Sequence, residues 1–467
     1  MSLTSGSGGL TRRRFLSMTG AGAAAAGAAA WFTLADHETP FRAKRVQRPS
    51  RPPNVLVVLG DDLGWGDLSS YGAPTIRTPR LDELAASGVR FTDGYAASSV
   101  CSPTRFGLYT GRYPGRLTGG LQEPIGSPTP VDGIPHDHPT LASLLKGVGY
   151  QTALLGKWHC GFLPWFSPTR VGWDEFFGNF AGGLDYFSKV NHIGEHDLYE
   201  GEVEVDDLRY YTDILTERAV DFVTREHEQP WLLNLNYTTP HWPWEGPGDQ
   251  AISANLTARA LAGDGGALSH HDGGSLDVYR TMVESLDASV GEVLDAVASS
   301  GQRKDTVVLF ASDNGGERFS YVWPFIGEKF SLQEGGIRVP TVLAWPGTLP
   351  GGQVSHAPVI TMDWTATLLE LAGARPARRY PLDGVSLTGY LLDGEPHRHR
   401  DLFWRMQGQG ALRRGDLKYL LVDDAQHLFD LSVDPHEQAD LGERRPAVLD
   451  SLRQAWDSIN DSLLPYE

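Results

Sequence analysis

The stretch NVLVVLGDD, Asn54–Asp62, is a continuous run of apolar residues that ends in two carboxylates. Such a run is typical of a strand buried on both faces, as strands are in a parallel sheet. Ligands of open α/β sheets bind beyond the carboxyl ends of the strands, and Asp61 and Asp62 stand at such an end. The stretch therefore predicts both the core of a sheet and the edge at which a site is built.

Helices and strands alternate after this stretch. Three further buried strands are predicted, at Tyr150–Gly156, Pro230–His241 and Lys304–Gly316. Apolar residues at helical spacing predict helices between them, at Thr78–Gly88, His138–Gly149, Arg209–His227 and Asp277–Gly301. The repeated alternation predicts an α/β fold with helices on both faces of the sheet.

The sequence pattern changes in the C-terminal part. From about Gly384, short apolar segments such as LFWRMQ, LKYLLV and HLFDL are separated by turn residues. We interpret them as a smaller antiparallel sheet closed by a helix at Arg444–Asn460. The sequence thus predicts an α/β domain at residues 54–383 and a C-terminal α+β subdomain at residues 384–467.

The N-terminus has the pattern of a targeting segment. TRRRFLSM, Thr11–Met18, precedes a short alanine-rich run, Ala21–Ala35. The order of arginines, Phe15 and apolar run predicts a twin-arginine signal peptide at residues 1–35, although an alanine-rich cytosolic helix is an alternative. Residues 36–53, rich in proline and arginine, are predicted to be a disordered linker. The expected location is outside the cytoplasm: periplasm, cell wall or medium, reached through the twin-arginine export machinery.

Composition excludes some partner classes. The chain of 467 residues carries a formal net charge of −18, which disfavours a nucleic acid partner. The alanine-rich run is too short to span a bilayer, and no later segment is long and apolar enough. We therefore expect neither nucleic acid binding nor stable membrane insertion.

Polar residues gather where the predicted strands end. They are Asp61, Asp62, Lys157, His159, His241, Asp313 and Asn314. Carboxylate and amide oxygens suit a hard divalent cation, calcium or magnesium, better than zinc. Each of these segments also has a simpler interpretation when it is considered alone. For example, Asp313–Gly316 is a turn signature, and the His241 side chain could be an aromatic ring packed in the core. Their coincidence at four strand ends favours a site.

The segment VCSPTRFGLYTG, Val100–Gly111, contains one of only two cysteines. Pro103 favours a helix start, which places Cys101 near the positive end of the helix dipole. Arg105 follows one turn later on the same face, so the segment is suited to bind an anion. A disulfide between Cys101 and Cys160 is the structural alternative.

These residues carry a family resemblance. Cys101-Ser102-Pro103-Thr104-Arg105, followed by Thr110-Gly111, resembles the signature of the type I, formylglycine-dependent sulfatases of the alkaline phosphatase superfamily. Further segments resemble family motifs in family order: Asp61–Asp67, Gly156–Gly161, Thr238–Trp244, Ser312–Gly316, Gly327–Pro340, Arg413–Leu420 and Leu428–Leu441. The resemblance covers Asn54–Leu441. It implies a large mixed, mostly parallel sheet sandwiched by helices, with a smaller C-terminal antiparallel sheet and helix, and a catalytic domain at residues 54–383.

The resemblance also implies a reaction. In this family a formylglycine-generating enzyme oxidises the signature cysteine, here Cys101, to Cα-formylglycine, which hydrates to a geminal diol. One hydroxyl attacks sulfur to form a covalent sulfo-enzyme, and the other expels sulfate. The expected activity is arylsulfatase-like hydrolysis of aryl or carbohydrate sulfates, small molecules included.

Roles follow for the matching positions. The implied ligands of one Ca²⁺, or alternatively Mg²⁺, are Asp61, Asp62, Asp313, Asn314 and the modified Cys101. Lys157 and Lys329 are expected to contact the sulfate, and Arg105 to orient the diol. His241 resembles the general acid for the leaving alcohol and His159 the base that collapses the sulfated diol.

Some features leave alternatives open. Cys160 stands where leucine is usual, and we interpret it as a small buried apolar residue. A phosphonate monoester or phosphodiester hydrolase could use the same site, and an unmodified Cys101 would leave an inactive binding protein. Five tryptophans near strand ends could form an aromatic wall for a sugar or aryl group, or could simply pack in the core: Trp165, Trp173, Trp242, Trp244 and Trp323.

Overall fold

The strands of the large domain follow one another along most of the chain. The computed structural model describes residues 39–466. Its first thirteen strands are β1 (Thr39–Pro40), β2 (Asn54–Gly60), β3 (Val89–Phe91), β4 (Gly94–Tyr95), β5 (Gln151–Gly156), β6 (Glu175–Gly178), β7 (Tyr199–Glu200), β8 (Val203–Glu204), β9 (Trp231–Asn236), β10 (Thr306–Ser312), β11 (Thr341–Ala344), β12 (Gln353–Ser355) and β13 (Val359–Ile360).

Eleven of these strands form one sheet, in the order β1-β12-β3-β11-β10-β2-β9-β5-β6-β7-β8, while β4 pairs with β13. The central run β10-β2-β9-β5-β6 is parallel throughout. Antiparallel pairs occur on either side, at β10 with β11 and at β6 with β7. The sheet is therefore mixed and mostly parallel, as predicted.

Ten α-helices accompany the strands within residues 39–466. They are α1 (Pro79–Ala86), α2 (Cys101–Thr110), α3 (Leu141–Lys146), α4 (Tyr211–Thr224), α5 (Gln250–Leu261), α6 (Leu276–Ser299), α7 (Glu334–Ile337), α8 (Thr361–Leu371), α9 (Thr388–Leu392) and α10 (Pro446–Asn460). Three of the four helices predicted between the strands correspond closely to α1, α4 and α6. The fourth, predicted at His138–Gly149, is shorter in the structure, where it is α3. Helix α8 was not predicted because its first nine residues are all buried, which removes the one-sided apolar pattern of a surface helix.

Strand β2 shows why its sequence is apolar without interruption. Leu56 and Val58 face one apolar core, which includes Leu286 of α6. Val55 and Val57 face the opposite core, together with Phe106 of α2. Because successive side chains of a strand point to opposite faces, a strand covered by helices on both sides must be apolar at every position.

A four-stranded antiparallel sheet forms the C-terminal part, with strands β14 (Asp401–Met406), β15 (Gln409–Arg414), β16 (Leu417–Val422) and β17 (Ala425–Asp430) in chain order. Helix α10 packs on it through Leu452, which joins Leu412, Tyr419 and Leu428 in a separate apolar cluster. The predicted segments correspond to β14, β16 and β17. Strand β15 was not predicted because Ala411 and Leu412 are its only apolar residues besides Gly410.

The segment before β2 lies along the sheet edge instead of being free of contacts. β1 pairs in parallel with β12, and Arg48 forms an ion pair of 2.5 Å with Asp393. The exposed edge of β12 offers backbone groups that this segment can pair with, and the linker at residues 36–53 stays a prediction. The predicted signal peptide, residues 1–35, lies outside the described residues, and the division at residue 384 stays a prediction. None of the helices within residues 39–466 has the length and apolarity needed to cross a bilayer.

A buried ionic cluster joins the C-terminal sheet to the large domain. Lys418 of β16 is fully buried, and its Nζ lies 2.9 Å from Glu334 Oε1 and 2.8 Å from Glu437 Oε1. Glu334 also accepts a hydrogen bond of 3.0 Å from Arg338. Burial acts to raise the pKa of Glu334, but Lys418 and the neighbouring arginines outweigh it and lower that pKa to about 2. Each buried charge is thus paired, which burial requires.

We predict that Lys418→Met lowers the free energy of unfolding by about 3–5 kcal/mol, because it leaves the buried carboxylate of Glu437 without a cation and that of Glu334 with Arg338 alone. Lys146→Met is the matched control: Lys146 pairs with Asp174 at the surface, with 52% of its side chain exposed, so its loss should cost at most about 1 kcal/mol. Denaturant unfolding measures both. Equal losses in the two variants would contradict the role of the cluster.

The same pair predicts a pH dependence. Because the pKa of Glu334 is lower in the folded chain than its ordinary value of 4.5, its stabilisation is complete above that value and is lost as the pH falls toward about 2. The Lys418→Met protein should show a smaller acid dependence of unfolding between those limits, because only the arginines then lower the pKa of Glu334.

Candidate active site

The register of the central strands aligns their carboxyl ends. Gly60 of β2 lies opposite Ser312 of β10, and Gly156 of β5 lies opposite Asn236 of β9. Backbone hydrogen bonds continue past these ends, for example from Asp313 N to Gly60 O at 3.2 Å and from Lys157 N to Asn236 O at 3.0 Å. The polar residues that follow each strand therefore start at one level of the sheet.

Each buried carboxylate at this edge has a cation. Lys157 Nζ lies 2.6 Å from Asp61 Oδ2, and Lys329 Nζ lies 2.8 Å from Asp62 Oδ2. Arg105 donates to Asp313 Oδ2 from Nε at 3.1 Å and from a terminal nitrogen at 2.8 Å. None of the carboxyl or basic side chains in this cluster is more than 5% exposed. Because unpaired buried charges are costly, these three pairings fix the cluster.

Asn314 and His241 complete the surroundings of Asp62. Asn314 Nδ2 donates to Asp62 Oδ1 at 2.7 Å, and His241 Nε2 lies 3.6 Å from Asp62 Oδ2. His241 Nδ1 lies 2.7 Å from the carbonyl oxygen of Trp242, which can only accept, so Nδ1 carries the hydrogen. Burial and the charges of Lys329 and Lys157 hold the pKa of His241 well below its usual value. Its ring is therefore neutral, with Nε2 turned toward the carboxylates.

His159 is held in one orientation beside this cluster. Its Nε2 donates to the carbonyl oxygen of Ile125 at 2.9 Å, and no group within residues 39–466 hydrogen-bonds to its buried Nδ1. Burial, followed by the charge of Lys157, holds its pKa well below the usual value. A Cβ on Gly182 would lie 2.5 Å from the His159 ring, so glycine makes room for it. The result is a neutral imidazole with a free basic nitrogen.

Cys101 is the first residue of α2 and is 1% exposed. Its Sγ lies within 4.8 Å of carboxylate oxygens of Asp61 and Asp313. Burial raises the pKa of the thiol, so Cys101 is a neutral thiol and not an activated thiolate. Cys101 and Cys160 are both free, so the disulfide alternative is not realised, and Cys160 packs in an apolar core as predicted.

The start of α2 is fixed by its own polar residues. Thr104 Oγ1 accepts a hydrogen bond of 3.0 Å from Ser98 N and donates one of 3.1 Å to Ser98 O. Ser102 Oγ accepts from Ile125 N at 2.9 Å. Arg105 donates to Lys157 O at 3.0 Å as well as to Asp313. These contacts hold the positive end of the helix, and Cys101 with it, against the carboxylates.

The cluster fits a divalent cation. Asp61 Oδ1 and Asn314 Oδ1 are buried and have no hydrogen-bond donor anywhere in residues 39–466. Burial and the charge of Asp313 raise the pKa of Asp61 well above its ordinary value, and a cation bound beside it would favour the charged carboxylate. Two sets of potential ligand atoms lie within 4.8 Å of one another, Asp61 with Asp62 and His241, and Asp61 with Cys101 and Asp313. Oxygen donors of this kind suit Ca²⁺ or Mg²⁺.

The structure thus brings the residues predicted from the sequence into one place. Nine of them form a single buried cluster, with His159 beside it: Asp61, Asp62, Cys101, Arg105, Lys157, His241, Asp313, Asn314 and Lys329. Their individual roles stay predictions.

Two residues of the site were not predicted. Asn236 of β9 donates to Lys157 O at 2.8 Å and to the Tyr109 hydroxyl at 2.7 Å, and so ties β5 to α2. The sequence did contain a signal for Asn236, because an asparagine inside a buried strand needs a polar partner. Glu317 lies near Asp62 and Lys329, and burial together with the charge of Asp62 raises its pKa to about 7. Nothing in its local sequence indicated this position.

The five tryptophans divide into three groups. Trp173 and Trp244 are buried in the core, so the packing interpretation holds for them. Trp165 and Trp323 are 40% and 66% exposed. Trp242 is half-buried, with its ring centroid 4.3 Å from that of His241. Of these five tryptophans, only Trp242 contacts a residue of the cluster within residues 39–466.

Known proteins share this sequence pattern. A family model described as Sulfatase matches residues 53–374. N-acetylgalactosamine-6-sulfatase of Mus musculus is 32% identical over 398 residues, and the alignment covers 79% of this chain and 72% of the relative. Arylsulfatase A of Bos taurus is 32% identical over 461 residues, with 86% of this chain and 87% of the relative covered.

Solved structures share the fold. The crystal structure of Ps i-CgsB superposes with a TM-score of 0.77 at 30% identity, covering 88% of this chain and 92% of that one, and it has also been solved with k-i-k-neocarrahexaose. The PsFucS1 sulfatase from Pseudoalteromonas sp. gives a TM-score of 0.73 at 26% identity, covering 88% and 90%. The phosphonate monoester hydrolase of Agrobacterium radiobacter shares the fold at 22% identity and a TM-score of 0.62, covering 88% and 96%.

We predict that Ca²⁺ or Mg²⁺ raises the melting temperature of chelator-treated protein, because a cation that binds only the folded chain stabilises it by about 2.7 kcal/mol at a hundredfold excess over its Kd. Asn314→Ala should weaken this response, since it removes one oxygen without changing the charge. Asn255→Ala, at an exposed position of α5, is the control that should keep it. A melting temperature that is the same in chelator and in saturating metal would contradict the cation site.

Proposed function

Because the chain belongs to the sulfatase family and is a sulfuric ester hydrolase, we propose that it hydrolyses sulfate monoesters of carbohydrates or aryl alcohols through a formylglycine made from Cys101. One observation carries the proposal. Cys101 lies at the start of α2, among three buried basic side chains and three buried carboxylates that converge from separate parts of the chain. This arrangement suits a tetrahedral anion bound next to a cation.

The state of Cys101 supports its modification. A buried thiol with a raised pKa is a poor nucleophile, so the encoded side chain does not account for catalysis. Since Cys101 is 1% exposed, a formylglycine-generating enzyme would have to act before the chain folds. We propose that the folded, modified protein is then exported by the twin-arginine machinery, for which Thr11–Met18 supplies the signal.

We propose that three basic residues bind the sulfate. Lys157 and Lys329 each donate a hydrogen bond to a carboxylate in this structure. Because an ammonium group has three hydrogens, each lysine can also donate to a sulfate oxygen. Arg105 orients residue 101 from one turn along α2, and the helix start adds its positive end. Fixed donors of this kind stabilise the charge that develops as the ester bond breaks.

The cation would be held by Asp61, Asp62, Asp313 and Asn314, together with residue 101. When bound, it supplies Lewis acidity, which polarises the sulfate and lowers the pKa of the attacking hydroxyl. Asp313, whose Oδ2 is already engaged by Arg105, is also placed to accept the proton of that hydroxyl.

The two histidines divide the proton transfers. One hydroxyl of the hydrated residue 101 attacks sulfur, and the ester oxygen leaves as the alcohol with a proton from His241 Nε2. The second hydroxyl then loses its proton to His159 Nδ1, the free basic nitrogen, and the sulfate departs as the aldehyde forms again. An anionic sulfate would offset the lysine charges that now lower the pKa of His241, so substrate binding favours the protonated acid.

The substrate class rests on the relatives and on charge. A relative at 32% identity is an N-acetylgalactosamine-6-sulfatase, and the matching structure Ps i-CgsB was solved with an oligosaccharide. The net charge of −18 disfavours long, densely sulfated chains. We therefore propose a lightly sulfated carbohydrate or an aryl sulfate as substrate.

We predict that protein from its own host shows a mass loss of about 18 Da on the peptide containing Cys101, the change from cysteine to formylglycine. The same preparation should hydrolyse nitrophenyl sulfate faster than a phenyl phosphonate ester, and Cys101→Ala should abolish sulfate release without unfolding the protein. An intact thiol in active protein would refute the formylglycine. Faster phosphonate ester hydrolysis would identify the enzyme as a phosphonate monoester hydrolase.

His241→Ala tests the general acid. We expect a loss of about 10²–10⁴ in kcat on N-acetylgalactosamine 6-sulfate, whose alcohol must be protonated to leave, and a much smaller loss on nitrophenyl sulfate, whose leaving group is stable as an anion. His270→Ala is the matched control, because His270 packs on Trp244 with ring centroids 6.3 Å apart and makes no contact with the cluster within residues 39–466. Equal losses on both substrates would exclude His241 as the acid.

A further inference from the structure

Phe330 is exposed although it directly follows Lys329 of the buried cluster. Its side chain is 45% exposed, whereas Lys329 is 5% exposed. The Lys329 ammonium lies 5.7 Å from the centroid of the Phe330 ring. Since that ammonium binds Asp62 at 2.8 Å, the ring lies at the point where the charged cluster meets solvent.

The backbone at Phe330 is in a conformation that phenylalanine rarely adopts. Its φ is 70°, in the left-handed region where a side chain costs about 1–2 kcal/mol and glycine costs little. An exposed ring adds little burial energy to offset this cost. Residues held in such conformations cluster at ligand sites.

The surrounding chain holds this conformation in place. Phe330 N donates to Ser99 O at 3.1 Å, two residues before Cys101. Phe330 O accepts from Gln409 Nε2 at 2.8 Å, and Gln409 Oε1 accepts from Leu332 N at 2.9 Å. Gln409 begins β15, so the C-terminal sheet and the segment before α2 together hold the ring at the mouth of the site.

We propose that Phe330 recognises the ring that carries the sulfate ester. This inference rests on the proposed sulfatase function and adds how the leaving group is bound. The sulfate occupies the charged cluster, and the flat apolar face of a sugar or aryl ring lies against the Phe330 ring outside it. Stacking of this kind gives affinity for the leaving group without a hydrogen bond to it.

The other exposed ring of the same loop provides a comparison. Trp323 is 66% exposed, and its ring packs against His436 of the C-terminal part, with ring centroids 4.8 Å apart and the rings tilted at 42°. It lies on the loop between Asn314 and Lys329, but its ring makes no contact with the charged cluster within residues 39–466. A substrate with a single ring should therefore contact Phe330 and not Trp323.

The test measures binding in the Cys101→Ala protein, which cannot turn over its ligand. Phe330→Gly keeps the left-handed backbone and removes the ring. We expect it to weaken binding of nitrophenyl sulfate and of N-acetylgalactosamine 6-sulfate about tenfold, and to leave the Kd of inorganic sulfate unchanged. Phe330→Leu should give an intermediate loss, and Trp323→Ala no loss. Calorimetry measures all three ligands, and the melting temperature of Phe330→Gly should be equal or higher because glycine relieves the backbone cost.

Three results would overturn the proposal. One is an unchanged Kd for both ring esters in Phe330→Gly. Another is an equal loss for inorganic sulfate, which would show that Phe330 acts through Lys329. The last is a loss in Trp323→Ala as large as in Phe330→Gly. Failure of the proposed function is a different result, namely no sulfate release by the unsubstituted protein, and it leaves these binding constants measurable.

Discussion

The structure depends on the neutralisation of three carboxylates buried side by side at the ends of adjacent parallel strands. Asp61, Asp62 and Asp313 follow β2 and β10, which are neighbours in register, so the chain cannot separate them. Burial raises the pKa of Asp61, and repulsion from the neighbouring carboxylate of Asp313 raises it further. Cations from elsewhere in the chain, and the divalent ion proposed here, are what make the arrangement stable.

The neutralising side chains also build the proposed reaction site. Arg105 pairs with Asp313 and so fixes the start of α2, where Cys101 stands. Lys157 and Lys329 pair with the other two carboxylates from β5 and from the loop before α7. The same contacts that offset the cost of burial therefore place three donors around residue 101, which is the geometry that catalysis by charge stabilisation needs.

The C-terminal sheet takes part in this site although it contributes none of the charged residues in it. The segment Gly327–Pro340 carries Lys329 into the cluster and, a few residues later, Glu334 into the ionic contact with Lys418 of β16. Gln409 of β15 holds the backbone at Phe330 and Leu332 between them. The position of Lys329, and of the exposed ring beside it, is thus set by packing between the two parts of the chain.

The sequence by itself determined the strands, the main helices and most of the site, because these depend on local patterns: apolar runs that end in acids, a proline at a helix start, and the family's motifs. The resemblance implied that Asp61 and Asp313, 252 residues apart, bind one cation. Which basic side chain pairs with each carboxylate could not be predicted, because strand order and register are set by packing of the whole sheet. Glu317 and Phe330 were missed because their roles come from neighbours distant in the chain. Asn236 had a signal, as a polar residue inside a buried strand, but its partners lie on other elements. Only the tertiary structure decided these pairings, since the repulsion among buried carboxylates, and the cations that offset it, exist only once the strands lie side by side.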